Sequence, residues 1–379
     1  MTFQQLNDHH VSHQINIQEG QENDLLLLGD TSHGENYLLG RQQSGLENIL
    51  TSQGYQYSFD NFSDLLRQAD LVMANLETPI TNIVESPFHL IKEYVHWTDI
   101  NAAPTCLQNN NIQMVSLANN HVIDFGEQGL QQTFDILERH NIQYFGAGKN
   151  SERARQPCVI QLKHQHQSKT IILLSAFHYR PSYHKKYHAY ASDQHAGVHP
   201  LSEETIQPWI QEVRTTYPDA FIILFPHWGA NYKWVRPSQL RLANGAVNAG
   251  VDLIIGHGAH MFQNISKVCD KWVAFSIGNF VFNSPGRYSS LSDMPSVSLI
   301  ARLLLDSKCG EFTLTPRFYP IQSDNLITHF QPRFLTDTEF SEFHPLLTRP
   351  YKTEESPVNK INIGRDMWGN YIQTPEHTL

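Results

Sequence analysis

The stretch MVSLANNHVIDFG, Met114–Gly126, joins an apolar run to a group of polar residues. Five mostly apolar residues lead directly into Asn119, Asn120 and His121, and an acid and a glycine follow. Such a run is typical of a buried strand that ends in a turn. Two interpretations of its polar end are open. One is turn or helix-cap chemistry, for which asparagine is well suited, and the other is a site for a metal or an anionic substrate.

Other short apolar runs also end in residues that can bind ligands. They are Leu25–Leu28 before Asp30, Asp70–Ala74 before Asn75-Leu76-Glu77, Ile171–Ala176 before His178, Phe221–Phe225 before His227, and Val251–Ile255 before His257. Nearly continuous apolar runs favour strands that are covered on both faces. The apolar periodicity of 127–140 and 239–248 predicts helices between them. The alternation predicts an α/β layered domain, with ligands at the carboxyl ends of its strands.

After about residue 268 the pattern changes. Residues 272–282, 296–305 and 311–319 resemble antiparallel strands. From Gln322 onward the chain is polar and dotted with proline, which predicts loops and short helices. We therefore expect a polar segment over residues 1–23, one domain over 24–320 and a loop-rich extension over 321–379 that wraps the domain.

Composition excludes several classes of protein. Hydrophobic residues make up 40% of the 379 residues and charged residues 17%, which permits a sizeable core. The net charge of −10 argues against a partner that is a nucleic acid or an anionic membrane. We see no signal peptide and no apolar run long enough to span a membrane, so the sequence predicts a cytoplasmic protein. The four cysteines lie far apart and are expected to be free thiols.

The residues at the strand ends match the ligands of hydrolytic metal sites. Such sites take Asp, Glu, Asn and neutral His, from several strand ends. The chain offers that set in the order Asp30, Glu77, Asn120, His121, His227, His257 and His260. A pair of metal ions needs a bridging carboxylate and nitrogen or oxygen ligands on each side, and this set suffices for it.

Five motifs in order resemble the bacterial capsule-synthesis CapA, or poly-γ-glutamate capsule, family. They are Gly29-Asp30, Asn75-Leu76-Glu77-Thr78, Ala118-Asn119-Asn120-His121 with Asp124 and Gly126, His227-Trp228-Gly229, and Gly256-His257 through His260. The stretch 275–282 is similar as well, and the resemblance covers residues 24–285. Five ordered motifs are far more specific than any one of them.

The resemblance implies a fold, a metal site and roles for its residues. The family is a branch of the calcineurin-like metallophosphatases, so a four-layer α/β/β/α sandwich is implied. Asp30 would bind the first metal, Asn120 would bind the second, and Glu77 would take the place of a bridging aspartate. His121 would be a catalytic proton donor or charge stabiliser. His227, His257 and His260 would complete the metal shells.

Three departures from the superfamily concern this site. The first motif reads Asp30-Thr31-Ser32-His33 instead of Asp-x-His. The second motif, Gly-Asp-x-x-Asp, is replaced by Asn75-Leu76-Glu77, and two residues instead of one separate the last histidines. The metal site can therefore be altered, mononuclear or lost.

A further set of residues is expected to contact substrate. Histidine-rich ligation favours Mn, Fe or Zn, as one or two ions. His33, Glu35 and Asn36 follow the first strand, Asn75 orients its neighbours or meets substrate, and Arg180, Lys233 and Arg236 follow other strands where an anionic substrate would lie.

Three functions are open at this point. The first is a metal-dependent hydrolase of a phosphoester or a γ-glutamyl-type amide, with Asp30 and His121 in catalysis. The second is a non-catalytic protein of poly-γ-glutamate or polysaccharide assembly or export. The third is an enzyme that tailors a small molecule or peptide. The corresponding partners are an anionic polymer or a small-molecule substrate.

Overall fold

The fold is built on two large mixed sheets, as seen in a computed structural model that describes residues 12–18, 22–46, 49–288, 291, 294–308, 310–348 and 361–379. The first sheet has the order β1-β7-β8-β11-β12-β14-β13, with β10 beside β8. Its strands are β1 (Ser12–Asn16), β7 (Cys158–His164), β8 (Gln167–His178), β10 (Pro200–Leu201), β11 (Phe221–His227), β12 (Leu253–Ile255), β13 (Phe262–Val268) and β14 (Lys271–Ile277).

The second sheet has the order β19-β20-β17-β16-β2-β3-β4-β5, with β15 beside β2 and with β18 and β21 beside β17. Its strands are β2 (Asn23–Ser32), β3 (Leu71–Leu76), β4 (Ile112–Ser116), β5 (Gln143–Phe145), β15 (Asn279–Phe282), β16 (Val297–Lys308), β17 (Glu311–Gln322), β18 (Arg333–Phe334), β19 (Asn362–Asp366), β20 (Gly369–Gln373) and β21 (His377–Thr378). A separate two-stranded sheet pairs β6 (Ala147–Gly148) with β9 (Gly197–Val198).

Helices follow most of the parallel strands. They are α1 (Glu35–Gln43), α2 (Ile49–Gln53), α3 (Ser63–Gln68), α4 (Ala102–Asn109), α5 (Gly126–Arg139), α6 (Ser151–Ala154), α7 (Pro181–Tyr187), α8 (Glu203–Thr216), α9 (Pro237–Ala249), α10 (Asn325–Thr328) and α11 (Asp337–Phe343), with 3₁₀ turns at Tyr55–Phe62 and His344–Thr348. The predicted helices at 127–140 and 239–248 are confirmed as α5 and α9. Within the described residues, no helix has the length and apolar character needed to cross a membrane.

Alternation along the strands distributes most of the core over three large clusters, beside a small fourth one of Tyr232, Met261 and Tyr288. One cluster joins the facing sides of the two sheets, for example Leu27 of β2 and Ile223 of β11. The other face of β2 and β3 packs against α3, α4 and α5, and the other face of β8 and β11 packs against α8 and α9. Each central strand is therefore covered on both faces, which explains the continuous apolar runs.

The run 272–282 departs from the single antiparallel strand that we predicted. It breaks at Gly278, whose φ is 71°, into β14 and β15, which belong to different sheets. Strand β14 lies parallel to β12 and antiparallel to β13, and β15 lies parallel to β2. A Cβ at Gly278 would come within 2.4 Å of Ser298 Oγ, and one at Gly29 within 1.9 Å of the Gly278 carbonyl oxygen. The chain can cross between the sheets here because both positions lack a side chain.

The segment after residue 321 contains short helices and also strands that the sequence analysis did not predict. Strand β20 pairs with β17 and with β19, so the end of the chain adds to the second sheet. These strands are only a few residues long and lack a continuous apolar run, which is why the pattern gave no signal. The boundaries at 23/24 and 320/321 stay predictions.

Cys106, Cys158 and Cys269 are free thiols, as expected, and Cys309 lies outside the described residues.

Candidate metal centre

The ends of four strands, two from each sheet, lie close together in one buried region, and each carries a polar residue there. In the second sheet, Asp30 lies near the end of β2 and Glu77 directly follows β3. In the first sheet, His227 ends β11 and His257 lies two residues after β12. Because the sheets pack face to face, their parallel strands bring these four side chains together, and all four are buried.

Asp30 is the centre of this arrangement. Its Oδ1 atom lies 3.0 Å from His257 Nδ1 and accepts a hydrogen bond from Asn75 Nδ2 at 3.0 Å, and its Oδ2 accepts from the Gly258 backbone N–H at 3.0 Å. His260 Nδ1 lies 3.4 Å from Oδ2. Burial by itself would raise the pKa of Asp30, but the contacts with His257 and His260 hold that pKa well below its usual value. Asp30 is thus an ionised carboxylate.

Three ligand atoms converge at close range beside Asp30. The distance from Asp30 Oδ1 to His257 Nδ1 is 3.0 Å, and that from Asp30 Oδ1 to His227 Nδ1 is 3.6 Å. The two histidine Nδ1 atoms are 3.1 Å apart. Ligand atoms at about 2.0–2.2 Å from one tetrahedral ion are separated by roughly 3–3.6 Å. The three side chains form one of two groups that could hold a metal ion.

Glu77 belongs to the second such group, with Asp30 and His260. Its Oε1 atom lies 3.8 Å from His227 Nε2, 3.9 Å from His260 Nε2 and 4.0 Å from His121 Nε2. These distances are too long for hydrogen bonds. Within the described part of the chain, neither carboxylate oxygen of Glu77 has a hydrogen-bond partner. Burial and then the charge of Asp30 raise the pKa of Glu77 well above its usual value.

The donor set therefore fits a divalent cation. A buried carboxylate without hydrogen bonds is costly unless something positive satisfies it. Among the described residues, the Nε2 atom of buried His257 also has no partner. Mixed imidazole and carboxylate ligands suit Zn, Fe and Mn. Asp30 is common to both groups, so it would be a ligand of an ion held by either one.

His121 points into the same centre from the loop after β4. Its Nδ1 atom is 2.7 Å from Asp124 Oδ2, and its Nε2 atom faces Glu77. Its ring is stacked on that of His96, with centroids 3.7 Å apart and planes 2° apart. Burial, followed by the nearby charge of Lys92, lowers the pKa of His121 well below its usual value. The imidazole is therefore neutral.

The asparagines beside His121 occupy different positions. Asn119 donates to Asn75 Oδ1 at 3.0 Å and to the Leu76 carbonyl at 2.8 Å, so it ties the loop after β4 to the end of β3. The backbone carbonyl of Asn120 accepts from Lys92 Nζ at 2.6 Å, and its side chain lies near the Tyr183 hydroxyl. Asn119 thus orients the loop, and a metal-binding role of Asn120 stays a prediction.

The residues that we expected to contact substrate are spread over a wider area. Asn75 is part of the buried network around Asp30. Arg180 is half-buried, donates to the Gly229 carbonyl at 2.6 Å and lies close enough to His227 to help lower its pKa, after the larger effect of burial. Lys233 and Arg236 are exposed on the segment after β11. Of these three cations, Arg180 thus lies close enough to the centre for its charge to act on His227.

The other three residues that we expected to contact substrate, His33, Glu35 and Asn36, lie at or just after the end of β2. His33 is fully buried, and its ring centroid lies 4.4 Å from that of Tyr55 and 6.1 Å from that of Phe59. Among the described residues, neither of its ring nitrogens has a hydrogen-bond partner. Glu35 accepts a hydrogen bond from the Tyr55 hydroxyl, and the Asn36 side chain lies near the Tyr37 hydroxyl. Within the part of the chain that the structure describes, none of these three forms a hydrogen bond or an ion pair with Asp30, and their contact with substrate stays a prediction.

Burial of His33 predicts a measurable dependence of stability on pH. Burial lowers its pKa to about 3, whereas in the unfolded chain it titrates at about 6.5. Between these values the unfolded state binds a proton that the folded state does not, so stability falls as pH decreases below about 6.5. We expect His33→Phe to remove this component. Its unfolding free energy should fall less steeply than that of the wild type, by about 1.4 kcal/mol per pH unit between pH 6 and 4.

Urea unfolding at several pH values measures this difference. The matched control is His166→Phe at an exposed histidine in the turn between β7 and β8, which should follow the wild type. Equal slopes for His33→Phe and the wild type would show that His33 is solvated in solution.

Sequence reasoning missed three residues of the centre. Lys92 and His96 lie between β3 and α4, in a segment without strand or helix periodicity, so the pattern offered no signal for them. Asn279, whose Oδ1 atom is 2.8 Å from His260 Nδ1, lies in the stretch 275–282 that we had noted as similar to the family without giving it a role. The position of Asn279 directly after Gly278 could have suggested a role for it in the site.

Comparison with known proteins agrees with the motifs. The model of the family described as bacterial capsule synthesis protein PGA_cap matches residues 24–284. The PGA biosynthesis protein CapA of Bacillus subtilis is 25% identical over 272 residues, covering 72% of this chain and 67% of the relative. The capsule biosynthesis protein CapA of Bacillus anthracis is 23% identical over 272 residues, or 71% of this chain and 62% of the relative. A probable polyglutamine synthesis accessory protein of Mycobacterium tuberculosis is 25% identical over 277 residues, 72% and 70% of the two chains.

Proposed function

The chain belongs to the bacterial capsule synthesis family PGA_cap, and on that premise we propose that it is a metal-dependent hydrolase of poly-γ-glutamate metabolism. Its substrate is a phosphoester or a γ-glutamyl-type amide. The observation that carries the proposal is the convergence of Asp30 Oδ1, His227 Nδ1 and His257 Nδ1 within 3.0–3.6 Å of one another. The names of the relatives support the link to the polymer.

We assign the fold to the four-layer α/β/β/α sandwich of metallophosphatases. One apolar cluster between the sheets and one between each sheet and its helices support this assignment. The sites of open α/β sheets lie at the carboxyl ends of their strands, as the cluster does.

Asp30, His227 and His257 would hold one ion, and Glu77 and His260 with Asp30 a second, with Asn120 as an additional ligand. A divalent ion supplies Lewis acidity, which polarises a phosphoryl or carbonyl oxygen and makes water more acidic. Mn, Fe and Zn are the ions that suit this set.

The remaining residues of the centre would transfer the proton, position the loop and Asp30, and attract the substrate. The neutral His121 ring, with Nδ1 bonded to Asp124, has its Nε2 atom free to accept a proton and to return it to the leaving group. Asn75 and Asn119 fix the positions of Asp30 and the loop after β4. Arg180 attracts an anionic substrate toward His227. Burial of the cluster strengthens each of these interactions.

A second function is favoured by two observations. Glu77 stands where the superfamily has an aspartate in a Gly-Asp-x-x-Asp motif, and names such as "accessory protein" do not describe an enzyme. A non-catalytic assembly or export protein that uses the cleft to bind polyanion would account for both facts.

Metal content separates the two functions. We expect protein purified without a histidine tag to contain about one or two equivalents of Mn, Fe or Zn by plasma mass spectrometry. His257→Ala should contain fewer equivalents, because it lacks a ligand of the group formed by Asp30, His227 and His257. The exposed control His166→Ala should keep them. The reconstituted protein should hydrolyse a member of a panel of phosphoesters and γ-glutamyl peptides. A protein that takes up no metal, hydrolyses nothing and binds poly-γ-glutamate would instead be the assembly protein.

A further inference from the structure

The segment between β3 and α4 places two buried side chains against His121. The Lys92 side chain is 6% exposed, and His96 is 1% exposed. Neighbouring residues of the same segment are on the surface, including Val84 and Leu90 at 93% and 90% exposure. The inward direction of Lys92 is unusual because lysine is rarely buried without a partner.

Lys92 reaches three groups of the loop after β4. Its ammonium group forms an ion pair with Asp124 Oδ1 and donates to the Asn120 carbonyl at 2.6 Å. It also lies 3.4 Å from His121 Nδ1. A buried carboxylate needs a countercharge, and Lys92 supplies it to Asp124.

His96 also contacts both Asp124 and His121. Its backbone N–H donates to Asp124 Oδ2 at 2.7 Å, the oxygen that also faces His121 Nδ1. The His96 ring is stacked on one face of the His121 ring. The Nε2 atom of His96 lies 3.2 Å from the Tyr37 hydroxyl, and this contact holds the His96 ring in place.

These contacts determine which nitrogen of His121 carries a proton. The shorter contact, 2.7 Å to Asp124 Oδ2, favours the tautomer with the proton on Nδ1 over donation from Lys92 at 3.4 Å. The Nε2 atom is then left with its lone pair toward Glu77. A ring held by a stacked neighbour and by a carboxylate that is itself held twice can neither flip nor rotate freely.

We propose that Lys92 and His96 are positioning residues that lock the orientation and the Nδ1–H tautomer of His121 through Asp124. The reaction that this arrangement serves rests on the proposed function, but the arrangement itself does not. The inference assigns a role to a segment that the family motifs do not include.

The first test compares Lys92→Met with Lys92→Arg. We expect Lys92→Met to lower kcat by about 10- to 100-fold, the range for residues that orient a functional group, with KM and metal content unchanged. Lys92→Arg keeps the countercharge and should recover part of the loss. The matched control Lys163→Met, at an exposed lysine on β7, should have wild-type kinetics. An unchanged kcat in Lys92→Met would contradict the proposal.

The second test does not depend on activity. Nitrogen-15 spectra of protein labelled in its histidine rings should show His121 as a single Nδ1–H tautomer, identified by the loss of its signal in His121→Ala. In Lys92→Met this signal should shift toward a mixture of tautomers, and in Lys92→Arg it should persist. If Lys92→Met fails to fold, His96→Leu, which removes the stacked ring, provides the same comparison. A wild type that hydrolyses nothing would refute the proposed function alone, whereas an unaltered tautomer in the folded variants would refute the positioning role.

Discussion

Asp30→Asn is expected to abolish metal binding at the centre and to lower hydrolysis by at least about 100-fold. Asp30 is the one residue common to both groups of ligands. The amide is similar in shape but neutral, and its NH₂ group would face either the Gly258 N–H, which donates to Asp30 Oδ2, or the His257 imidazole beside Oδ1. Losing a single histidine removes a ligand from one group, whereas losing this carboxylate affects both.

Plasma mass spectrometry and hydrolysis of the most active panel substrate measure the effect. The control Asp64→Asn, at an exposed carboxylate in α3, should leave metal content and rate unchanged. Circular dichroism verifies that the Asp30 variant folds. A folded Asp30→Asn protein with the wild-type metal content would exclude Asp30 as a ligand.

Glu77→Met should have opposite effects on stability and on metal binding. The buried Glu77 carboxylate has no hydrogen-bond partner among the described residues, and an unsatisfied buried polar group costs about 1–3 kcal/mol. Methionine has nearly the same length without that cost. We therefore expect metal-free Glu77→Met to be more stable than the metal-free wild type by about 1–3 kcal/mol, while losing the ion bound by Glu77, Asp30 and His260.

Unfolding in urea after dialysis against a chelator, with and without added metal, measures both effects. Metal should stabilise the wild type and have less effect on the variant. Glu342→Met, at an exposed residue of α11, should resemble the wild type in both conditions. If metal-free Glu77→Met were less stable than the metal-free wild type, Glu77 would have an unrecognised partner in solution.

Continuous apolar runs made much of the fold predictable. The strands predicted around Leu27, Met73, Val115, Leu174 and Ile223 all form, because burial on both faces gives each of them an unbroken hydrophobic signature. The exchange of sheets at Gly278 was not predictable from that signature, since both halves of the run are equally apolar. The strands near the end of the chain were missed for the opposite reason, because they are short and mostly polar.

For the candidate site, residues at strand ends were predictable and those in irregular segments were not. Asp30, Glu77, His227 and His257 lie at or just after the ends of strands that the sequence predicts, and they converge in the structure. Lys92 was not predictable, because only tertiary packing decides that its charge turns inward to Asp124. His33 carried a motif-like signal, but its buried ring packs against those of Tyr55 and Phe59.

The exchange of sheets at Gly278 has a consequence for synthesis of the protein on the ribosome. It places Asn279 beside Asp30, and Asp30 meets His257 across a separation of 227 residues along the chain. Contacts so distant in sequence form only after the intervening chain is closed. A nascent chain that has emerged only to the end of β8 carries Asp30 and Glu77 but none of the three histidines of the two ligand groups, His227, His257 and His260. Such an intermediate has two adjacent carboxylates and no complete set of ligands, so capture of an ion must await the second half of the polypeptide.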